Sequence, residues 1–101
     1  MAFGAFVRTS RESRRKDDPA YSLRQVAERT GREPSYLSRI EREQEPPPSE
    51  EKIVLLAREL GEDPDLMLAL AGKVSSDLQT IIRRRPRMCC DILRALQSAP
   101  D

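Results

Sequence analysis

The chain has 101 residues, a net charge of +1 and 35% charged side chains, and Leu, Ile, Val and Phe make up about a fifth of it. This is enough for one hydrophobic core, which excludes a two-lobed enzyme with a cleft between domains and points to a small, well-solvated protein. No run of about 18 apolar residues offers a membrane span and no basic-then-apolar leader opens the chain, so the expected compartment is the cytoplasm.

No strict alternation of β-branched residues occurs, and the punctuation divides the chain into short helices, so the expected class is all-α. Phe3, Phe6, Val7 and Ser10 mark one face of a first helix fading at Lys16, where Asp17, Asp18 and Pro19 form a turn. Ser22 caps a second helix of about two turns with Leu23, Val26, Ala27 and Thr30 facing inward, and Gly31 stops it. Glu33 and Pro34 open a third helix predicted to run to about Glu43. Gln44 through Pro48, with three consecutive prolines, is expected to be extended. Ser49 opens a fourth helix, whose Ile53, Leu56, Ala57 and Leu60 recur at core-facing spacing before Gly61. Asp63 and Pro64 start a fifth, ending at Gly72; its Leu66, Met67, Leu68 and Leu70 predict burial on nearly every side. Ser76 is expected to cap a sixth helix bearing Leu78, Ile81 and Ile82, which Pro86 separates from a seventh bearing Met88, Cys89, Ile92, Leu93 and Leu96. The last two are expected to form an antiparallel hairpin.

The two short helices joined at Gly31 lie within the stretch SLRQVAERTGREPSYLSRIERE. Ala27 permits close approach of the pair, Gly31 makes the sharp turn, and Leu37 with Ile40 anchors the second helix. With the SRIER run from Ser38 to Arg42, this spacing resembles the helix-turn-helix of the phage-repressor-like (Xre-type) family of DNA-binding transcriptional regulators. The resemblance covers about Phe3 to Gly72, and implies a compact five-helix domain that binds double-stranded DNA. Two features depart from the family: a longer connection from Arg14 to Tyr21, and the triple proline after helix three.

A helical wheel gathers Ser35, Ser38, Arg39 and Arg42 opposite Leu37 and Ile40. Small serines let a helix sit deep in a major groove, and Arg39 carries the planar fork that pairs with guanine O6 and N7; the bland alternative is a solvated face. Arg24 and the backbone N–H groups after Ser22 are candidates for phosphate, as are Arg32, Tyr36 and Arg42. Glu41 turns partly inward and so requires a cation, and the family resemblance implies Arg11 as that partner.

Basic residues outnumber acidic ones in residues 1–44 and 78–101, whereas acidic ones prevail in residues 45–77. Arg83, Arg84, Arg85 and Arg87 are either a second phosphate patch or a solvated helix end. The expected organisation is a DNA-binding domain over residues 1–72 and a helical extension over 73–101 that joins two copies into a homodimer. Its apolar stripes are too short to stand alone, and a twofold pair of helix-turn-helix units reads a palindrome more tightly than one unit. Cys89 and Cys90 are expected to act as small core hydrophobes, with a thiol switch as the lesser alternative. Histidine is absent and the two cysteines are adjacent, so no disulfide framework, zinc site or His general base can be assembled in one chain. The functional expectation is therefore a repressor acting as a dimer on a palindromic operator, not an enzyme, with no cofactor, metal, membrane or small-molecule substrate. The alternative is an antitoxin or other protein-interaction module on the same scaffold, which the acidic middle keeps open.

Overall fold

The structure, a computed structural model, describes residues 2–100; Met1 and Asp101, the outer ends of the two expected units, lie outside the described residues. The described residues form seven α-helices: α1 (Phe3–Arg15), α2 (Leu23–Arg29), α3 (Pro34–Glu41), α4 (Glu50–Leu60), α5 (Pro64–Leu70), α6 (Ser76–Arg84) and α7 (Pro86–Leu96). A short 3-10 helix, Pro19–Tyr21, stands between α1 and α2. The all-α expectation is met.

The first five helices share one core. Phe3 and Val7 of α1, Val26 and Ala27 of α2, and Leu37 and Ile40 of α3 meet Ile53, Leu56, Ala57 and Leu60 of α4 and Met67 and Leu68 of α5, all at most 4% exposed. Burying each large aliphatic among them contributes about 1.5–3 kcal/mol, which is why the i, i+3, i+4 spacing of these residues dictates which face of each helix turns inward. Ser10 is also inward, its Oγ donating to Glu62 at 2.7 Å. At Gly4 a Cβ would overlap the Ile40 carbonyl oxygen, so α1 and α3 approach backbone to backbone there.

Four expectations are corrected. Helix α3 ends at Glu41, not about Glu43, because the backbone turns left-handed at Glu43 (φ 61°) while the N–H of Gln44 closes on the Arg39 carbonyl at 2.8 Å. In that conformation the Glu43 carboxylate reaches back to accept from the Ala5 N–H at 3.0 Å, and it thereby serves α1, whose own N-cap Ala2 has no side chain able to do so. Helix α5 is buried on one face only: Met67 and Leu68 turn into the core, where α4 is the main helix packed against α5, while Leu66 is 45% exposed. The residue preceding α6 is Ser75, not Ser76; Ser75 Oγ bonds Asp77 at 2.6 Å and holds the Asp77 carboxyl below its ordinary range, while Ser76 Oγ donates to Glu50 of α4 at 2.7 Å. Finally, Cys90 is exposed and Cys89 half-buried, so neither is a core residue. The reason is general to the segment: α6 and α7 contain no buried residue.

The sixth and seventh helices join through Arg85 alone and line an apolar cleft of about 340 Å³ with Leu78, Ile81 and Ile82 on one side and Cys89, Ile92 and Leu93 on the other. The long connection after α1 is organised around Tyr21. Asp18 caps the 3-10 turn by accepting from the Ala20 N–H at 2.9 Å, and the guanidinium groups of Arg14 and Arg29 lie 5.7 and 5.3 Å from the Tyr21 ring centre.

Candidate nucleic-acid interface

The α2–turn–α3 unit is built by local chemistry at each junction. Ser22 Oγ accepts from the Gln25 N–H at 3.3 Å and starts α2. At the other end Thr30 Oγ1 donates to the Val26 carbonyl at 2.9 Å, and Gly31 adopts φ 67° so that the Arg32 N–H reaches the Ala27 carbonyl at 2.8 Å. No neighbouring atom lies where a Gly31 side chain would go, so what this position demands is the backbone conformation. Pro34 then supplies a fixed φ for the first turn of α3.

What fixes α3 against α1 is an ion pair. Arg11 and Glu41 meet through two parallel hydrogen bonds, Nε to Oε2 at 2.8 Å and Nη2 to Oε1 at 2.9 Å, with side chains 6% and 4% exposed. A third donor, Nη1, reaches the Tyr21 carbonyl at 3.3 Å. The hydrogen bond to Glu41 holds the Arg11 pKa above its ordinary value despite the opposing effect of burial. The pair implied by the family resemblance is thus present, and Glu41 is turned fully inward.

A helix held in this way presents one face to the core and one outward. The profile of the helix-turn-helix domain family matches residues 2–70 of the chain, which is the five-helix unit from α1 to α5. The chain belongs to that family. No curated protein and no solved structure matches it. The match agrees with the phage-repressor-like likeness carried by Ala27, Gly31, Leu37, Ile40 and the Ser38–Arg42 run, and it makes this helix-turn-helix protein a DNA-binding regulator by class. No helix among the described residues is long and apolar enough to cross a membrane.

In this helix-turn-helix protein, the residues expected to meet DNA divide into a cluster and outliers. The Arg32 and Arg39 guanidinium groups lie 5.0 and 5.9 Å from the Tyr36 ring centre, so these three half-buried side chains form one cluster. Ser35 and Arg42 are exposed, and Arg42 Nε leans toward the Ser38 carbonyl at 3.4 Å. Arg24 stands apart on the first turn of α2, 81% exposed and 3.8 Å from Glu28. One of the α2 N–H groups offered to phosphate by the sequence reading is already used, since Ser22 takes that of Gln25.

The sequence reading missed Glu45. Its carboxylate accepts from Arg39 Nε at 3.2 Å, so the arginine expected to read bases is not a free side chain. The wheel of α3 carries no trace of this partner, because it comes from the segment beyond the helix end.

Proposed function

We propose that the protein is a sequence-specific transcriptional repressor that binds a palindromic operator as a homodimer, inserting α3 into the major groove of each half-site. The observation that carries this reading is the two-sidedness of α3: Leu37 and Ile40 are sealed in the core while Ser35, Ser38 and Arg39, with Arg42 at the helix end, form its outer, polar and basic face and Tyr36 packs at the margin against the core. In this reading Arg39 reads a base edge, whereas Arg24, Arg32 and Arg42 meet phosphate. Residues 1–72 are the DNA-binding unit and residues 73–101 join two copies. The support for the second assignment is surface chemistry: Leu78, Ile81, Met88, Ile92, Leu93 and Leu96 are 40–59% exposed on two helices with no buried residue of their own.

The test is binding to a duplex selected by the protein from a randomised pool, compared with a random duplex across a salt series. Affinity should fall steeply with salt; a salt-insensitive interaction would favour the protein-interaction alternative. Arg39→Ala should weaken the selected duplex by about 1–3 kcal/mol and relax one base position, while Arg24→Ala should weaken both duplexes alike. A chain ending at Gly72 should stay folded yet sediment as a monomer; if it sediments as a dimer, the interface lies elsewhere, with exposed Leu66 of α5 as its first suspect.

A further inference from the structure

We infer that Glu45 is a specificity-determining residue of the DNA-binding face: it positions the Arg39 guanidinium for base reading, and the triple proline exists to hold it there. The inference rests on the reading of Arg39 as a base-contacting residue. Glu45 engages only one edge of the guanidinium. The bond runs from Arg39 Nε to Glu45 Oε1 at 3.2 Å, and among the described residues the two Nη nitrogens donate no hydrogen bond. Those two nitrogens are one way of presenting the paired donors that match guanine O6 and N7, so an acceptor on Nε orients the fork without consuming it. Tyr36 bounds the same guanidinium from a second direction, 5.9 Å from its ring centre. An arginine side chain loses rotamer freedom when it is fixed on a base, and two flanking groups restrict part of that freedom before DNA arrives.

The backbone around Glu45 is correspondingly stiff. The chain reverses immediately after α3, with left-handed Glu43 and the closure of the Gln44 N–H on the Arg39 carbonyl. Glu45 itself precedes Pro46, which restricts it to extended conformations, and Pro46, Pro47 and Pro48 each fix their own φ. A carboxylate close to a DNA-binding face repels phosphate, so its presence there weakens binding to every sequence. Positioning gives that cost a return, because it makes the operator differ more from other DNA.

The experiment measures affinity of the full chain for the duplex it selects from a randomised pool, and for that duplex changed at the base pair that Arg39→Ala ceases to discriminate. Glu45→Ala should bind random duplex more tightly, lose discrimination at that one base pair by about tenfold, and melt like the parent. Glu45→Gln, which retains an oxygen for Arg39 Nε, should keep more of the discrimination. Equal tightening on both duplexes, with discrimination intact, would show Glu45 to be a plain repulsive charge and overturn its positioning role alone. If Arg39→Ala loses discrimination at no position, the base-reading assignment of α3 fails and the inference falls with it.

Discussion

Glu41→Ala removes the carboxylate that receives both Nε and Nη2 of Arg11 and leaves the guanidinium in a site where its side chain is only 6% exposed. The one acceptor remaining to Arg11 is the Tyr21 carbonyl at 3.3 Å, which cannot compensate a charge. Stranding one member of a buried pair costs about 3–5 kcal/mol, against a total stability of roughly 5–15 kcal/mol for a small domain. At about 4–8 °C per kcal/mol, the melting temperature should drop by about 12 °C or more. Replacing both partners tells the cost of stranding from the worth of the pair. Arg11→Met with Glu41→Leu removes both charges and should recover to within about 1–2 kcal/mol of the parent, the residue reflecting the lost bond to Tyr21. Because the Arg11 pKa is raised, the pair's contribution is complete below the ordinary arginine pKa and is lost only as pH rises through the still higher folded value. The Arg11 side of the pair is therefore constant through neutral pH. Thermal and urea melts followed by far-ultraviolet circular dichroism provide the measurement. A Glu41→Ala chain that melts within a few degrees of the parent, or a double-mutant coupling near zero, would refute the reasoning.

Two glycine substitutions should separate steric from conformational demand. Gly4→Ala forces a Cβ onto the Ile40 carbonyl and should cost more than about 2 kcal/mol by prising α1 from α3, whereas Gly31→Ala meets open space and should cost only about 1 kcal/mol of backbone strain. Equal losses in urea melts would contradict the close approach at Gly4. Ser22→Ala should remove the cap on the Gln25 N–H and cost about 1 kcal/mol, with Ser22→Asp retaining stability in the same assay.

Residues with a local physical signature were legible in the sequence. Ser22, Gly31, Pro34, Gly61, Asp63 and Pro64 punctuate the helices where expected because capping and left-handed turns involve only near neighbours. Leu37 and Ile40 were assigned to the core by their place after the Gly31 turn and on the helical wheel, and both are buried. What escaped involves contacts between distant parts of the chain or chemistry beyond a helix end. The Glu43 carboxylate serves the Ala5 N–H, 38 residues away, and that tertiary bond accompanies a left-handed turn that no local preference of glutamate suggests. The Arg11–Glu41 partnership spans 30 residues, and burial of Glu41 said only that some cation was needed. The Cys89 and Cys90 reading failed for a different cause: an apolar stripe announces that it needs cover without saying whether the same chain provides it.

That ambiguity yields the last expectation. In the five-helix unit every helix contributes at least two residues to the shared core, so its helices are stabilised by tertiary packing within one chain. Helices α6 and α7, of 9 and 11 residues, are below the length at which an isolated helix is stable in water, and neither buries a residue. Their apolar cleft and the exposed Ile81, Met88, Ile92, Leu93 and Leu96 gain stability only when covered. If a second copy supplies the cover, folding of this segment and association are one equilibrium, and helicity must depend on concentration. Dilution through the dissociation range should then remove up to about a third of the helical circular dichroism, the share contributed by α6 and α7, while the five-helix core keeps its melting transition. Ile92→Asp, which places a charge in the cleft, should give the diluted signal at all concentrations. A helical signal that stays constant on dilution in a chain shown to sediment as a monomer would mean that α6 and α7 hold their form unaided, and the dimer assignment would lose its physical ground.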